Sequence, residues 1–386
     1  MMKIHKDIIA FYTLFKQAGK ELFLVGGCVR DFKLGKTPKD FDMATDAFPE
    51  EIEKILSSYS FDLTGKSFGV MRVYTQSEPK GYEIATYRED ITAGRNPIVK
   101  VGSTIQKDST RRDLTINAMY YDIENRNIID FNDGVKDLEN RIIRTPGNPV
   151  DRINEDKLRL PRAIRMREVI EGEFDESLEQ AMLENWKLEG PDPDGKIVPL
   201  PAERIMEEFL KGLFQIRNIS SYILSLNKFK TLEQIFPGLS LNTKIYSSYN
   251  FIKPTVESVI ANLLRFNTNY DLLWNSLVYV CKLDKKKANG VKFLLMVENI
   301  NPDNAYFLKK YLKNKTDLSI EDVIQHCENV QSADGFYHKQ MKLIKAFEQY
   351  EIKTNGDNLK KEGFKDEEVG RELELREKNN FLQLIK

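Results

Sequence analysis

Residues 22–45 restrict the fold more than any other part of the chain. Leu22, Phe23, Leu24 and Val25 form an apolar run that predicts a buried strand, and Gly26 and Gly27 follow at once. Two glycines let the backbone turn sharply and approach a ligand closely. Val29, Arg30 and Asp31 then open a segment with the character of a short helix, so backbone N–H groups and a guanidinium face whatever lies over the turn. An anionic phosphate chain suits that place. Taken alone, Gly-Gly before a helix fits a plain strand-to-helix turn equally well.

Asp40, Phe41 and Asp42 come next, just before the apolar Met43 and Ala44. In a strand, the side chains of Asp40 and Asp42 share one face while Phe41 enters the core. Two carboxylates on one site repel unless a cation stabilises them, and hard oxygen ligands suit Mg²⁺. A solvated Asp-rich turn is the plain alternative, and the glycine turn upstream argues against it. A phosphate-cradling turn beside paired, metal-ready carboxylates reads as nucleotidyl transfer.

These residues carry a resemblance. Gly26-Gly27-Cys28-Val29-Arg30-Asp31 and Asp40-Phe41-Asp42-Met43-Ala44-Thr45 resemble the first motif of the class II tRNA nucleotidyltransferase and bacterial poly(A) polymerase family. Its further motifs are resembled in order by Arg111-Arg112-Asp113-Leu114-Thr115-Ile116-Asn117-Ala118-Met119, Asp133-Gly134-Val135-Lys136-Asp137-Leu138, Glu155-Asp156-Lys157-Leu158-Arg159 and Ala202-Glu203-Arg204-Ile205. A weaker echo of the family's tail is Gly356-Asp357-Asn358-Leu359 with Gly363 and Gly370. The likeness is strong over residues 20–215.

The resemblance implies an α+β protein: a mixed α/β nucleotidyltransferase head over 1–145, a helical neck over 146–216 carrying a nucleotide-selecting motif, and a helical, RNA-binding body and tail over 217–386. It implies addition or repair of the 3′-CCA end of tRNA from CTP and ATP. Asp40 and Asp42 would be catalytic and hold Mg²⁺. Gly26, Gly27 and Arg30 would seat the triphosphate, and Arg112 would lie near the ribose and phosphates. Arg111 and Asp113 would brace head against neck.

Asp156 and Arg159 would read the base. Cytosine and adenine both present an exocyclic amine beside a ring-nitrogen acceptor, so an accepting carboxylate and a donating guanidinium match both. Uracil and guanine present the reverse order and leave the pair unmatched. The i, i+3 spacing predicts both residues on one helical face, where an intrahelical ion pair is the plain alternative. Arg162 and Arg165 match further nucleotide-contacting positions. The chain departs from the family pattern at Pro161, which removes a helix hydrogen bond and predicts a kink near Arg162 and Arg165.

Other readings stay open. A poly(A) polymerase, or an enzyme adding only CC or only the terminal A, would share these motifs. An RNA-binding module that has lost catalysis would have no need of the paired aspartates. A small-molecule nucleotidyltransferase would have no use for Asp156 and Arg159.

Length and composition agree with a multidomain enzyme: 386 residues, 41% hydrophobic and 30% charged, exceed one compact core. The net charge of −1 gives no global pull toward nucleic acid, so RNA binding must be local. The run Lys157–Arg167 is one such patch, with Lys285–Lys287 and 308–315 as others or as solvated helix faces. No long apolar span or signal-type start appears, so neither membrane insertion nor secretion is expected. Cys28, Cys281 and Cys327 read as free thiols in a reducing cytoplasm. Oligomeric state is not legible.

Short β-branched and aromatic runs at 67–74 and 81–87 alternate with helical patterns at 6–19, 48–58 and 113–119. From about 150, helical periodicity dominates at 155–169, 175–188 and 201–215, interrupted by the Pro/Gly/Asp-rich 190–201 segment. Glu83 alternates with core residues and is a candidate third carboxylate, while Arg88 could orient the metal shell or a phosphate. Residues 89–109 read as a long loop and possible lid. His326 beside Cys327 reads as helix packing rather than zinc ligation, because no further ligands are evident.

Overall fold

A computed structural model describes residues 3–385 except 92–98, 192–195, 244–245, 247–250, 266, 268–269, 335–337 and 352–353. The chain divides into two compact units, Met1–Glu208 and Phe209–Lys386.

The first unit is built on a seven-stranded sheet in the order β3-β4-β5-β2-β1-β8-β9. Its strands are β1 Phe23–Val25, β2 Asp42–Thr45, β3 Ser60–Asp62, β4 Val70–Tyr74, β5 Tyr82–Thr86, β8 Tyr120–Tyr121 and β9 Ile128–Ile129. Only β2 and β5 run parallel; the remaining pairs are antiparallel. Helix α1, Lys6–Gln17, buries Ile8, Phe11 and Phe15, and Phe11 meets the ring of Tyr82 edge-on at 5.6 Å. One row across the sheet, Met71, Ile84, Met43, Leu24 and Tyr121, is buried. Alternation sends Arg72, Glu83 and Asp42 to the opposite face, and that face carries the site.

Strands near 23–25, 70–74 and 82–86 and helices α1 and α3 (Pro49–Ile55) follow the sequence reading. The 113–119 helix does not form. A 3₁₀ turn at Thr115–Asn117 replaces it, because Asp113 takes the Leu114 N–H at 2.8 Å and Thr115 N–H donates to the Arg144 carbonyl at 2.9 Å. The expected long loop over 89–109 is also more ordered at its ends. Strands β6 Arg88–Asp90 and β7 Val99–Val101 pair, and α4 Ile105–Thr110 follows; residues 92–98, where a lid was expected, lie outside the described residues.

Helix breaks shape the region after 145. The single helix expected over 155–169 is two: α6 Pro149–Glu155 and α7 Arg159–Val169, separated by Asp156 in extended conformation. Helices α8 Glu176–Glu184 and α9 Ala202–Gln215 follow, with a short strand pair, Glu189–Pro191 with Ile197–Pro199, across the expected break. The break also accommodates Pro161 without a kink. It is the third residue of α7, in the first turn, where backbone N–H groups have no intrahelical acceptor to lose.

The second unit is helical among the described residues, from Ile219–Lys228 to Asp366–Ile385. Its core is apolar, with Ile260, Phe293, Leu294 and Val297 fully buried. His326 is also buried and faces the Ser258 hydroxyl at 2.9 Å. All three cysteines are buried and unpaired. No helix among the described residues is long and apolar enough to cross a membrane.

Candidate active site

The strand run Leu24–Val25 ends in Gly26, whose φ of 77° and ψ of −131° suit glycine and few other residues. The turn is pinned by Gly26 N–H donating to the Met119 carbonyl at 3.3 Å. Gly27 then starts α2, Gly27–Lys33. Arg30 does not project freely over the turn. Its guanidinium grips Asp31 at 2.7 Å and Asn117 Oδ1 at 2.7 Å, so its charge is already shared.

Phe41 is buried against His5, with ring centroids 4.9 Å apart, and this anchors the Asp-Phe-Asp segment. Asp40 lies just outside the strand and Asp42 is the first residue of β2; both line a cleft of about 350 Å³ with Lys39, Arg72, Lys80 and Glu83. Asp42 and Glu83 are direct partners across the parallel β2–β5 pair. Packing around Asp42, then the Glu83 charge, with Asp40 adding and Arg112 and Arg72 opposing, pushes its carboxyl up to about 6. Its side chain meets solvent at the cleft mouth, where the like charges of Glu83 and Asp40 lie beside it. The three carboxylates therefore occupy one cleft at an electrostatic cost that a cation would relieve. Among the described residues no three acidic, imidazole or thiol groups enclose a point by themselves. Such a set suits Mg²⁺, which keeps waters and takes only one or two carboxylates beside phosphate oxygens.

Arg112 stands on the far side of the glycine turn, 3.9 Å from where a Gly26 Cβ would sit. Asp108 and Tyr120 hold it there: Arg112 donates to Asp108 at 2.9 Å and to the Tyr120 hydroxyl at 3.1 Å, and its guanidinium lies over the Tyr120 ring at 5.2 Å. Asp108 is 1% exposed and also receives Arg111, the Tyr120 hydroxyl and the Arg88 backbone N–H. Burial alone would raise its carboxyl, but Arg112 and Arg111 outweigh that and hold it down at about 2. Sequence reasoning missed Asp108, although its place three and four residues before two arginines on a helix was a usable signal. The Arg88 guanidinium donates to the Phe68 carbonyl at 2.8 Å.

The second motif links to α7. Asn117 donates to Asp113 at 3.3 Å, Arg162 reaches Asp113 at 3.2 Å, and Glu208 lies 3.7 Å from Arg162 and 2.9 Å from Arg165. Arg159 donates to Glu155 at 2.8 Å, to the Arg152 carbonyl at 2.9 Å and to the Arg111 carbonyl at 2.7 Å. Every arginine of the expected basic face, 159, 162 and 165, thus has a carboxylate partner. Asp156 caps the Leu158 N–H at 3.1 Å, and its charge is felt by Arg162. Because α6 ends before it, Asp156 does not share one helical face with Arg159. Glu208 was a further residue the sequence reading did not single out.

The third motif is structural. Asp133 adopts a left-handed conformation (φ 57°), and a Cβ on Gly134 would stand 2.2 Å from the Thr115 carbonyl oxygen. Asp137, 3% exposed, accepts from the Thr115 hydroxyl at 2.7 Å, which locks the 3₁₀ turn of the second motif.

Residues 22–144 match the family described as the poly A polymerase head domain. The chain is 33% identical over 237 residues to poly(A) polymerase I of Haemophilus influenzae, covering 58% of this chain and 50% of that protein. It is 34% identical over 247 residues to the CCA-adding enzyme of Lactobacillus helveticus, covering 60% and 59%. It therefore spans about half to three-fifths of the length of these relatives. The crystal structure of the Bacillus stearothermophilus CCA-adding enzyme in complex with CTP superposes with a TM-score of 0.71, over 96% of this chain and 90% of that one. At 22% identity this likeness speaks for the fold.

Proposed function

We propose that this chain, whose head belongs to the poly A polymerase head-domain family, is a template-independent RNA nucleotidyltransferase that builds or repairs the 3′-CCA end of tRNA from CTP and ATP. The observation that carries the chemistry is one cleft lined by Asp40, Asp42 and Glu83, with Asp42 paired to Val25 at the start of the Gly26 turn and within reach of the Arg112 charge. Relatives named CCA-adding enzymes, and a fold shared with one bound to CTP, support the choice of product.

Asp40 and Asp42 would hold Mg²⁺, which when bound lowers the pKa of the attacking 3′-hydroxyl and neutralises charge on the departing pyrophosphate. The Gly26 turn lets the triphosphate come against backbone, and Arg112, fixed by Asp108 and Tyr120, supplies positive charge beside it. Gly27 and Arg30 shape the same turn. Arg30 contributes to the phosphates only as far as its bonds to Asp31 and Asn117 allow.

Base selection would rest on Asp156 accepting from the exocyclic amine of cytosine or adenine and Arg159 donating to the adjacent ring nitrogen. Arg159 begins paired with Glu155, so reading a base requires its guanidinium to exchange that partner for the nucleotide. Arg162 and Arg165 would act mainly by fixing α7 through Asp113 and Glu208. The proposed tRNA substrate and the free buried thiols support a cytoplasmic location.

A second reading, a poly(A) polymerase, is favoured by the identity with a relative of that name. Incorporation of labelled CTP, ATP, UTP and GTP with Mg²⁺ onto tRNA transcripts ending before CCA, after C and after CC separates them. The expected result is CCA addition that stops, with an Asp40→Ala/Asp42→Ala control silent. Unlimited A addition would make the chain a poly(A) polymerase, and A or CC addition alone a partial enzyme. Silence on every transcript would sink the proposal.

A further inference from the structure

A charged row crosses the cleft face of the sheet. The register places Asp62 on β3 opposite Arg72 on β4, Arg72 opposite Glu83 on β5, and Glu83 opposite Asp42 on β2. Neighbouring strands lie under about 5 Å apart, so each side chain of such a row feels the next. Arg72 pairs directly with Glu83. Its stem runs over Gly81, where a Cβ would stand 2.6 Å from Arg72 Cγ and 3.0 Å from Cδ. Gly81, with φ +80°, thus leaves the room that lets Arg72 lie flat toward the carboxylates.

Both partners are about half exposed, 44% and 45%. A pair this wet is weakly held and can exchange without disturbing the sheet. Arg72 also acts on Asp42, opposing the rise that Glu83 and Asp40 impose.

We propose that Arg72 is the resident counter-cation of Glu83, and that a divalent cation in the Asp40/Asp42 cleft competes with it for that third carboxylate. The proposal rests on the reading of Asp40 and Asp42 as metal ligands. A guanidinium within the row repels a dication and withholds one of its oxygen ligands. Removing the guanidinium while keeping an apolar stem over Gly81 should therefore tighten metal binding. The arrangement lessens the like-charge repulsion when no metal is present and sets the cation concentration at which the cleft fills.

The test is Mn²⁺ binding to the full chain without nucleotide or RNA, read by the electron paramagnetic resonance signal of free Mn²⁺. Arg72→Met is expected to bind on the order of tenfold more tightly than wild type at low salt. Arg72→Lys, which keeps the charge, should bind like wild type. In a Glu83→Gln background the gain from Arg72→Met should shrink to what the loss of the guanidinium's repulsion alone supplies, since no carboxylate remains to release. Thermal melting of each variant verifies that it is folded. Unchanged or weaker binding in folded Arg72→Met overturns the proposal. So does a gain that persists undiminished with Glu83→Gln, which would make Arg72 a mere source of field. Those failures leave the metal reading standing if Asp40→Ala/Asp42→Ala abolishes binding. Undiminished binding in that control would instead sink the metal reading, and this proposal with it.

Discussion

The two compact units bury different chemistry. Residues 1–208 bury charge: Asp108, Asp137, Arg159, Arg165 and Glu208 are each under 9% exposed, and each has an opposite charge or a hydrogen-bond partner. Residues 209–386 bury mostly hydrocarbon; among the described residues their buried charges are fewer, with Glu377 accepting from the Tyr350 hydroxyl and Arg265 pairing with Glu298 at 3.1 Å, beside neutral polar groups such as His326, Ser258 and Asn262. Burying a charge is costly unless it is paired, so a network of this size is retained where geometry has to be fixed. In the first unit the network fixes Arg112 beside the glycine turn and α7 beside the second motif. The carboxylates of the cleft are the exception within that unit. Asp40, Asp42 and Glu83 share a solvent-facing cleft in which the charges of Glu83 and Asp40 push the Asp42 carboxyl up, with Arg112 and Arg72 opposing.

The sharpest test of that exception is Asp40→Ala/Asp42→Ala. Nucleotide incorporation is expected to fall by about 10³-fold or more, the scale of several kcal/mol of transition-state stabilisation. Urea stability of the same variant should stay level or rise, because like charges have been removed. A large loss of stability would break the contrast between the cleft and the network.

The network should behave oppositely. Glu208→Ala leaves Arg165 buried without its carboxylate and weakens the hold on Arg162. Breaking a buried pair by removing one partner costs about 3–5 kcal/mol, which urea unfolding of the first unit would register. A cost below about 1 kcal/mol would mean that water already solvates the arginine.

Acid should separate the two units. Burial, helped by the Arg265 charge, pushes His326 down to about 3, so below pH 6.5 the unfolded chain takes up a proton that the folded second unit refuses. Stability of that unit is therefore lost as pH falls from about 6.5 toward 3. Asp108, held at about 2 against an ordinary 3.8, contributes stability that is present above 3.8 and lost only as pH falls toward 2. Hydrogen exchange followed by mass spectrometry from pH 7 to 4.5 should show peptides of 209–386 loosening first. His326→Gln should flatten that dependence. Simultaneous loosening of both units would contradict it.

The smallest effect is expected at Pro161→Ala. With proline in the first turn of α7, no helix hydrogen bond is regained, and the change acts mainly on the unfolded chain, within about 1 kcal/mol. The ratio of C to A incorporation should not move. A shift in that ratio would show that the proline sets the helix path after all.

Much of the site was legible in one dimension because strand alternation is local. Asp42 outward and Phe41 inward follow from the pleat, and Gly26 had to be glycine at its φ of 77°. Glu83 was readable as a candidate on the same ground. The helix over 155–169 was misread because its arginine spacing continues through Asp156, where the backbone leaves the helix and the Asp156 side chain caps Leu158. The 113–119 segment was misread for a related reason: its backbone bonds go to Arg144 and to the Asp113 side chain, and Asp137, 22 positions on, locks Thr115.

The sequence by itself determined which residue types carry the chemistry, because glycine conformational freedom, carboxylate charge and period-two patterning are properties of short segments. Only the tertiary structure decided how the charges are shared. Whether Arg30 meets Asn117 or a phosphate, whether Arg165 faces Glu208 or solvent, and whether Arg72 lies against Glu83 all depend on side chains far apart in the chain or brought side by side by strand register. Electrostatic pairing falls off over a few ångströms, and those distances exist only once the strands and α7 have packed.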